Sequence, residues 1–233
     1  MKVLLFLLTF LFSTYVHSSV KVALFDIAPF SYINDKGELD GVVYKLCKKI
    51  EKESGLEFDY SLVPYARAIK LLTDGEVDLA VFYPSTKYEG LFDKLAPTLG
   101  NYNYLVSLKN LYIKSLNDIG EKKIGLIRGA KYSEEFDKMK KPGVVFLQDY
   151  SKVFNMLLLN RIDIAVISSA AFEYFLRVQN INAEDKLNIY TINLQPNWIH
   201  INKKLDPNIR EKLKKANSSV IRSGGYKTLE ELL

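Results

Sequence analysis

The chain has 233 residues, 48% of them apolar, and a formal net charge of +5, which is enough apolar content for a packed core and a length that suits one large or two small domains. Its lysines alternate with acids instead of running in blocks, so the basic stripe of a nucleic-acid binder is excluded. One cysteine and two histidines exclude a disulfide framework and a clustered zinc or iron site.

The first element is not part of the fold. Lys2 precedes an apolar run from Val3 to Phe12 and a small-residue stretch from Ser13 to Ser19, the layout of a cleavable export signal over residues 1–18, with the cut after Ser18 or Ser19. The run is about half the roughly 20 residues of a membrane-spanning helix, and no second long apolar run follows. A mature protein in the periplasm without stable membrane insertion is expected. No cysteine stands at the cut to carry a lipid, and Cys47 falls inside a helical pattern, where a buried inert thiol is expected.

After the signal, Val20 to Phe25 reads as a strand, and Asp40-Gly41 opens a helix to about Glu53 that Ser54-Gly55 stops. Glu57 to Val63 is a second strand, Pro64 suits the start of a helix to about Thr73, and Val77 to Phe82 is a third strand after Asp74-Gly75. The same order then recurs: strand Lys123 to Ile127, helix Ser133 to Met139, strand Val144 to Leu147, helix Ser151 to Leu159, strand Ile162 to Ile167. The third strands echo one another, Val77-Asp78-Leu79-Ala80-Val81 against Ile162-Asp163-Ile164-Ala165-Val166. A duplicated βαβ architecture follows. Tyr102 to Leu105 and Ile192 to Pro196 are the expected crossings between lobes. Trp198 to Ile201 and the helix Asn208 to Ser219 would return to the first lobe. The expected division is lobe one at 19–102 and 194–233 and lobe two at 103–193.

In open α/β sheets ligands sit beyond the carboxyl ends of the strands. That rule selects Asp26 to Phe30, Pro64 to Arg67 and Tyr83 to Lys87 from lobe one. From lobe two it selects Arg128 to Ser133, Asp149 to Ser151 and Ser168 to Ala171. The candidate ligand residues are Asp26, Phe30, Tyr65, Arg67, Phe82, Tyr83, Ser85, Tyr88, Tyr102, Arg128, Gly129, Tyr132 and Ser168. Arg67 in a first helical turn opposes the helix dipole and calls for an anion, a surface pairing with a neighbouring acid being the alternative. Arg128-Gly129 offers a second anion loop, which a plain strand-to-helix turn explains equally well. Fifteen tyrosines and thirteen phenylalanines suggest stacking on a ring-bearing solute.

Ala28-Pro29-Phe30-Ser31-Tyr32 with Gly37 and Gly41, Gly75 to Val81, Ser115-Leu116-Asn117-Asp118-Ile119 leading to Ile124 through Gly129, and the closing Ser223-Gly224-Gly225-Tyr226 carry a resemblance. In their order and spacing the chain resembles the family 3 extracellular solute-binding proteins, the polar amino acid type that feeds ATP-driven importers. The resemblance implies a periplasmic-binding-protein-like type II fold, two α/β lobes joined by a two-crossover hinge. It also implies a monomer without cofactor that closes on a small-molecule solute for an ABC permease or, alternatively, a membrane sensor. A dehydratase branch of the family would need Glu173, Glu89 or Asp26 as a general acid. The family's amino acid binders hold the α-carboxylate with an arginine three residues after a threonine, where Thr86 is followed here by Lys87-Tyr88-Glu89. They hold the α-ammonium with an aspartate, where Ser168 stands. With both charges of that clamp replaced, an ordinary α-amino acid is not the expected ligand.

Overall fold

The computed structural model describes residues 19–225. The segment 1–18, expected as an export signal, and Tyr226 lie outside them. In chain order the elements are β1 (Val20–Phe25), β2 (Tyr32–Ile33), β3 (Leu39–Asp40), α1 (Val42–Ser54), β4 (Phe58–Val63), α2 (Tyr65–Asp74), β5 (Leu79–Phe82), β6 (Asp93–Leu108), β7 (Lys123–Ile127), α3 (Glu134–Lys138), β8 (Gly143–Leu147), α4 (Tyr150–Leu158), β9 (Ile164–Ser168), α5 (Ser169–Val178), α6 (Ala183–Lys186), β10 (Leu187–Ile201) and α7 (Pro207–Arg222).

Local chemistry explains the helix boundaries. Gly41 precedes α1 at φ +115°, and a Cβ there would stand 2.3 Å from the Phe30 carbonyl oxygen, so only glycine fits the approach. Val42, Val43, Leu46, Cys47 and Ile50 then bury one stripe of α1, and left-handed Gly55 ends it. Burial pushes the Cys47 thiol up to about 12, as an inert core thiol requires. Asp206 caps α7 with Pro207 in its first turn, and Leu213, Ala216 and Val220 bury the face that packs on α1.

The sheet order β4-β1-β5-β10-β6-β9-β7-β8 places one parallel triplet, β4-β1-β5, opposite a second, β8-β7-β9. The sequence echo has a physical basis. Lys21 N–H donates to the Asp78 carboxylate at 2.9 Å while Asp78 N–H donates to the Lys21 carbonyl at 2.8 Å. In the other triplet Lys123 N–H donates to the Asp163 carboxylate at 2.7 Å and Asp163 N–H returns to the Lys123 carbonyl at 2.9 Å. Each aspartate therefore pins the start of its first strand to the approach of its third. Asp78→Ala and Asp163→Ala are each expected to cost about 1 kcal/mol in urea denaturation, and the double variant the sum.

The two crossings are built as strand. Tyr102 to Leu105 and Ile192 to Pro196 are not free linkers but the middles of β6 and β10, which pair antiparallel from Leu187↔Leu108 to Ile201↔Asp93. Because β10 also pairs with β5 and β6 with β9, one ladder joins both triplets. Backbone N–H and C=O groups of the crossings are thus satisfied without relying on solvent. Register shifts fall between Thr191 and Asn193, between Pro196 and Trp198 and between Ile199 and His200. Phe154, packed on Phe172 and Phe175, anchors the core on one side of α4, and Phe136 with Ile119 and Ile124 centres a second cluster.

Candidate functional site: the interlobe cleft

The carboxyl ends of the two triplets converge. Phe25, Phe30 and Tyr65 from the first and Ile127, Tyr150 and Ser168 from the second line one inner cavity of about 40 Å³, which Asn101, Asn103 and Asn197 of the long strands border. Tyr65 sits 5.2 Å from Phe25, and Phe30 lies 6.5 Å from Tyr150 across the cleft, ring centre to ring centre. Beside it opens an outer cavity of about 640 Å³ between the Tyr83 to Lys94 segment and the Lys131 to Lys138 segment. Tyr83 and Lys131 face both cavities.

Direct contacts hold the two sides together. The Tyr88 hydroxyl donates to the Gly129 carbonyl at 3.3 Å. Gly129, at φ +83°, lies so near α2 that a Cβ on it would stand 2.9 Å from the Ala66 Cβ. At the hinge, Asn193 Nδ2 donates to the Tyr83 hydroxyl at 2.9 Å and to the Tyr132 carbonyl at 2.8 Å. Asn103 Nδ2 donates to the same carbonyl at 3.2 Å and to Asn193 Oδ1 at 3.0 Å. This web ties β6 and β10 to both lobes, and Asn193→Leu is expected to weaken solute binding about threefold to tenfold by titration calorimetry.

Electrostatics at the cleft are set by burial. It raises Tyr65 well above the ordinary tyrosine range and takes Tyr150 to about 12, hydrogen bonding from Ser168 tempering the second. Asp137, on the outer cavity wall, is pushed up by burial in spite of nearby Lys131 and Lys141 and an N–H from Tyr132. His200 also borders the outer cavity. It is fully buried, its ring stacks on Phe82 at 3.9 Å and meets Phe92 edge-on at 5.0 Å, and burial lowers it to about 3. Neither ring nitrogen has a hydrogen-bond partner; the Trp198 backbone approaches the ring without reaching hydrogen-bond geometry.

The model of the bacterial extracellular solute-binding proteins, family 3, matches residues 20–232. The chain belongs to that family. It is 24% identical over 121 residues to the amino-acid-binding protein AabA of Dichelobacter nodosus, a match spanning 51% of this chain and about half, 48%, of the relative. Among solved structures, a mutant of ArgBP from T. maritima superposes with TM-score 0.79 at 20% identity, covering 91% of this chain and 93% of that one. A histidine kinase sensor domain with similarity to periplasmic binding proteins superposes with TM-score 0.78 at 17% identity, over 92% and 95% of the two chains. The fold is the type II periplasmic-binding-protein fold, mixed α/β around a central sheet.

Glu89 lies on the outer cavity wall and Ser168 inside the inner cavity, where its hydroxyl accepts from Ala171 N–H at 3.3 Å. Of the sequence candidates, Phe30, Tyr65, Tyr83 and Ser168 line the inner cavity, and Tyr83, Ser85 and Tyr88 the outer one. Asp26 is exposed at the cleft edge and within electrostatic reach of Lys152 of the other lobe. Gly129 meets the facing lobe through its backbone.

Five candidates stand elsewhere. Arg67 is exposed and reaches Glu76, 3.7 Å away past the far end of α2, so its guanidinium runs away from the cleft. Arg128 lies over the exposed ring of Phe146 at 5.6 Å. Tyr102 is exposed and stacks on Tyr104, which itself packs edge-on against buried Phe172. Phe82 is core beneath His200, and the Tyr132 ring is buried against Phe136, its hydroxyl accepting from Ile127 N–H at 2.9 Å. The cleft residues missed by sequence are Asn101, Asn103, Asn193 and Asn197 on the long strands; Lys131 and Tyr150 fall in the selected loops Arg128 to Ser133 and Asp149 to Ser151 without having been singled out. Strict alternation in Asn101-Tyr102-Asn103-Tyr104 was the available signal, since a strand puts the asparagines on the face opposite the tyrosines.

Proposed function

We propose that this protein captures a small solute between its lobes by hinge closure and hands it, in the periplasm, to an ABC importer. The observation that carries this reading is the convergence of both triplets' strand ends on one cleft, spanned by two long strands and held by the Tyr88 to Gly129 contact. A ligand drives such closure only through contacts made better in the shut form than in the open one. The division at 19–102 with 194–233 against 103–193 then puts both boundaries inside β6 and β10. Closure on a solute needs no bond-making step, and no group of three metal-ligating side chains is present among the described residues. Likewise, no helix among them is long and apolar enough to cross a membrane.

A thermal-shift screen of metabolites against the purified protein, followed by small-angle scattering, tests the reading. A solute that raises the melting temperature should also shrink the radius of gyration. A tight ligand that leaves the scattering curve unchanged overturns it. The likeness to a histidine kinase sensor domain favours a second reading, in which the shut form docks on a membrane receptor. Crosslinking in intact cells separates the two by recovering either a permease or a receptor.

A further inference from the structure

The two cavities are unequal in what they admit. About 40 Å³ holds a water or two, because Tyr65, Tyr150 and Phe30 already fill the place between the strand ends. The outer cavity, about 640 Å³, has the size of a small-molecule site. Its charges do not balance. Asp93 is paired with Arg210 and Glu134 with Lys138, each at 2.6 Å. That leaves Lys87, Lys94, Lys131 and Lys203 facing Glu89 and Asp137, and none of these six has an ion-pair partner among the described residues. Lys87 lies over the Tyr88 ring at 5.8 Å and Lys94 over the Trp198 ring at 5.6 Å, positions that leave their ammonium donors free.

The excess charge is divided between the lobes. Lys87, Lys94 and Lys203 belong to the side built on β5 and β10, and Lys131 to the loop before α3. Closing the cleft brings like charges into one confined space, where repulsion is screened less than at an open surface. A bound anion reverses the sign of that interaction and becomes the differential contact that closure requires. The cavity floor carries the second observation, the buried and unpartnered imidazole of His200. A buried polar group of this kind is satisfied when a ligand supplies the missing hydrogen bond.

We propose that the solute is a small organic dianion, seated in the outer cavity between Lys131 and the Lys87, Lys94 and Lys203 side, with His200 bonding it from beneath. Both short dicarboxylates and phosphate monoesters present that chemistry. The Tyr83 and Tyr88 rings wall the seat, and Glu89 turns away solutes bearing a third negative charge. This assignment rests on the capture reading above and narrows it to one part of the cleft.

Titration calorimetry of the purified protein with succinate, glutarate and glycerol 1-phosphate, against putrescine as dication, succinamide as neutral amide and arginine as an amino acid of net positive charge, tests it. The expected result is binding by at least one dianion, weakened at least tenfold in Lys131→Gln and in His200→Phe and weakened by added salt. His200→Phe keeps an aromatic ring on Phe82, and Lys131 is partly exposed, so both variants should fold; circular dichroism melts verify this. Binding confined to putrescine, succinamide or arginine, dianion affinity unchanged in both variants, or no binding by any dianion overturns the proposal. A solute from the metabolite screen that compacts the protein while the dianions fail leaves capture standing and removes only this assignment.

Discussion

Replacing Gly129 with valine is expected to leave a folded protein that binds its solute about tenfold to a hundredfold more weakly and no longer compacts on binding. The valine Cβ would press on Ala66 at 2.9 Å, well inside van der Waals contact, exactly where the lobes touch. Its backbone would also have to hold φ +83°, costing about 1–2 kcal/mol, so some loss of global stability accompanies the effect. Ala66→Leu separates the two causes. It crowds the same contact from the other lobe with no backbone strain, and should reduce affinity and compaction while leaving the melting temperature nearly unchanged. Wild-type compaction in both variants would show that this contact does not limit closure.

The second large effect concerns acid. His200 has a folded value of about 3 against 6.5 for the free side chain, because burial beside Phe82 and Phe92 and the charge of Lys94 disfavour its protonated form. The folded protein thus takes up this proton less readily than the unfolded chain. The contribution is present in full above about pH 6.5 and is lost as pH falls through the window down to about 3. At pH 5 wild type should have lost about 2 kcal/mol relative to pH 7.5 from this residue. His200→Phe should flatten that part of the profile in urea denaturation at a series of pH values. An unchanged slope would mean that the imidazole protonates freely in the folded state.

Much of the architecture was legible in the sequence because it rests on local chemistry. Gly41, Gly55 and Gly75 mark helix ends through backbone conformations that other residues avoid, and the Asp78 and Asp163 echoes mark equivalent strand approaches. The crossings were less legible. Asn, Pro and Gln near Ile192 to Pro196 look like a linker, and only long-range pairing with β6 turns them into strand. The site was legible as loops but not as side chains. Strand ends follow from topology, whereas the direction of a side chain on a loop depends on neighbours far away in sequence. Arg67 found Glu76, and the Tyr132 ring found the space above Phe136, while its carbonyl, not its ring, serves the hinge. Lys131 carries no motif; the strand-end rule selects its loop, Arg128 to Ser133, without marking its side chain as the one that faces both cavities.

The unbroken ladder through β6 and β10 restricts how this molecule moves. Two strands bonded along nearly their whole length behave as a torsion bar: the lobes swing by twisting the ribbon, since sliding would break many backbone bonds at once. Twist concentrates where pairing already slips, beside Asn193 and at Pro196. The swing should therefore be modest in angle and springy, with its stiffness set by the irregular steps in the ribbon.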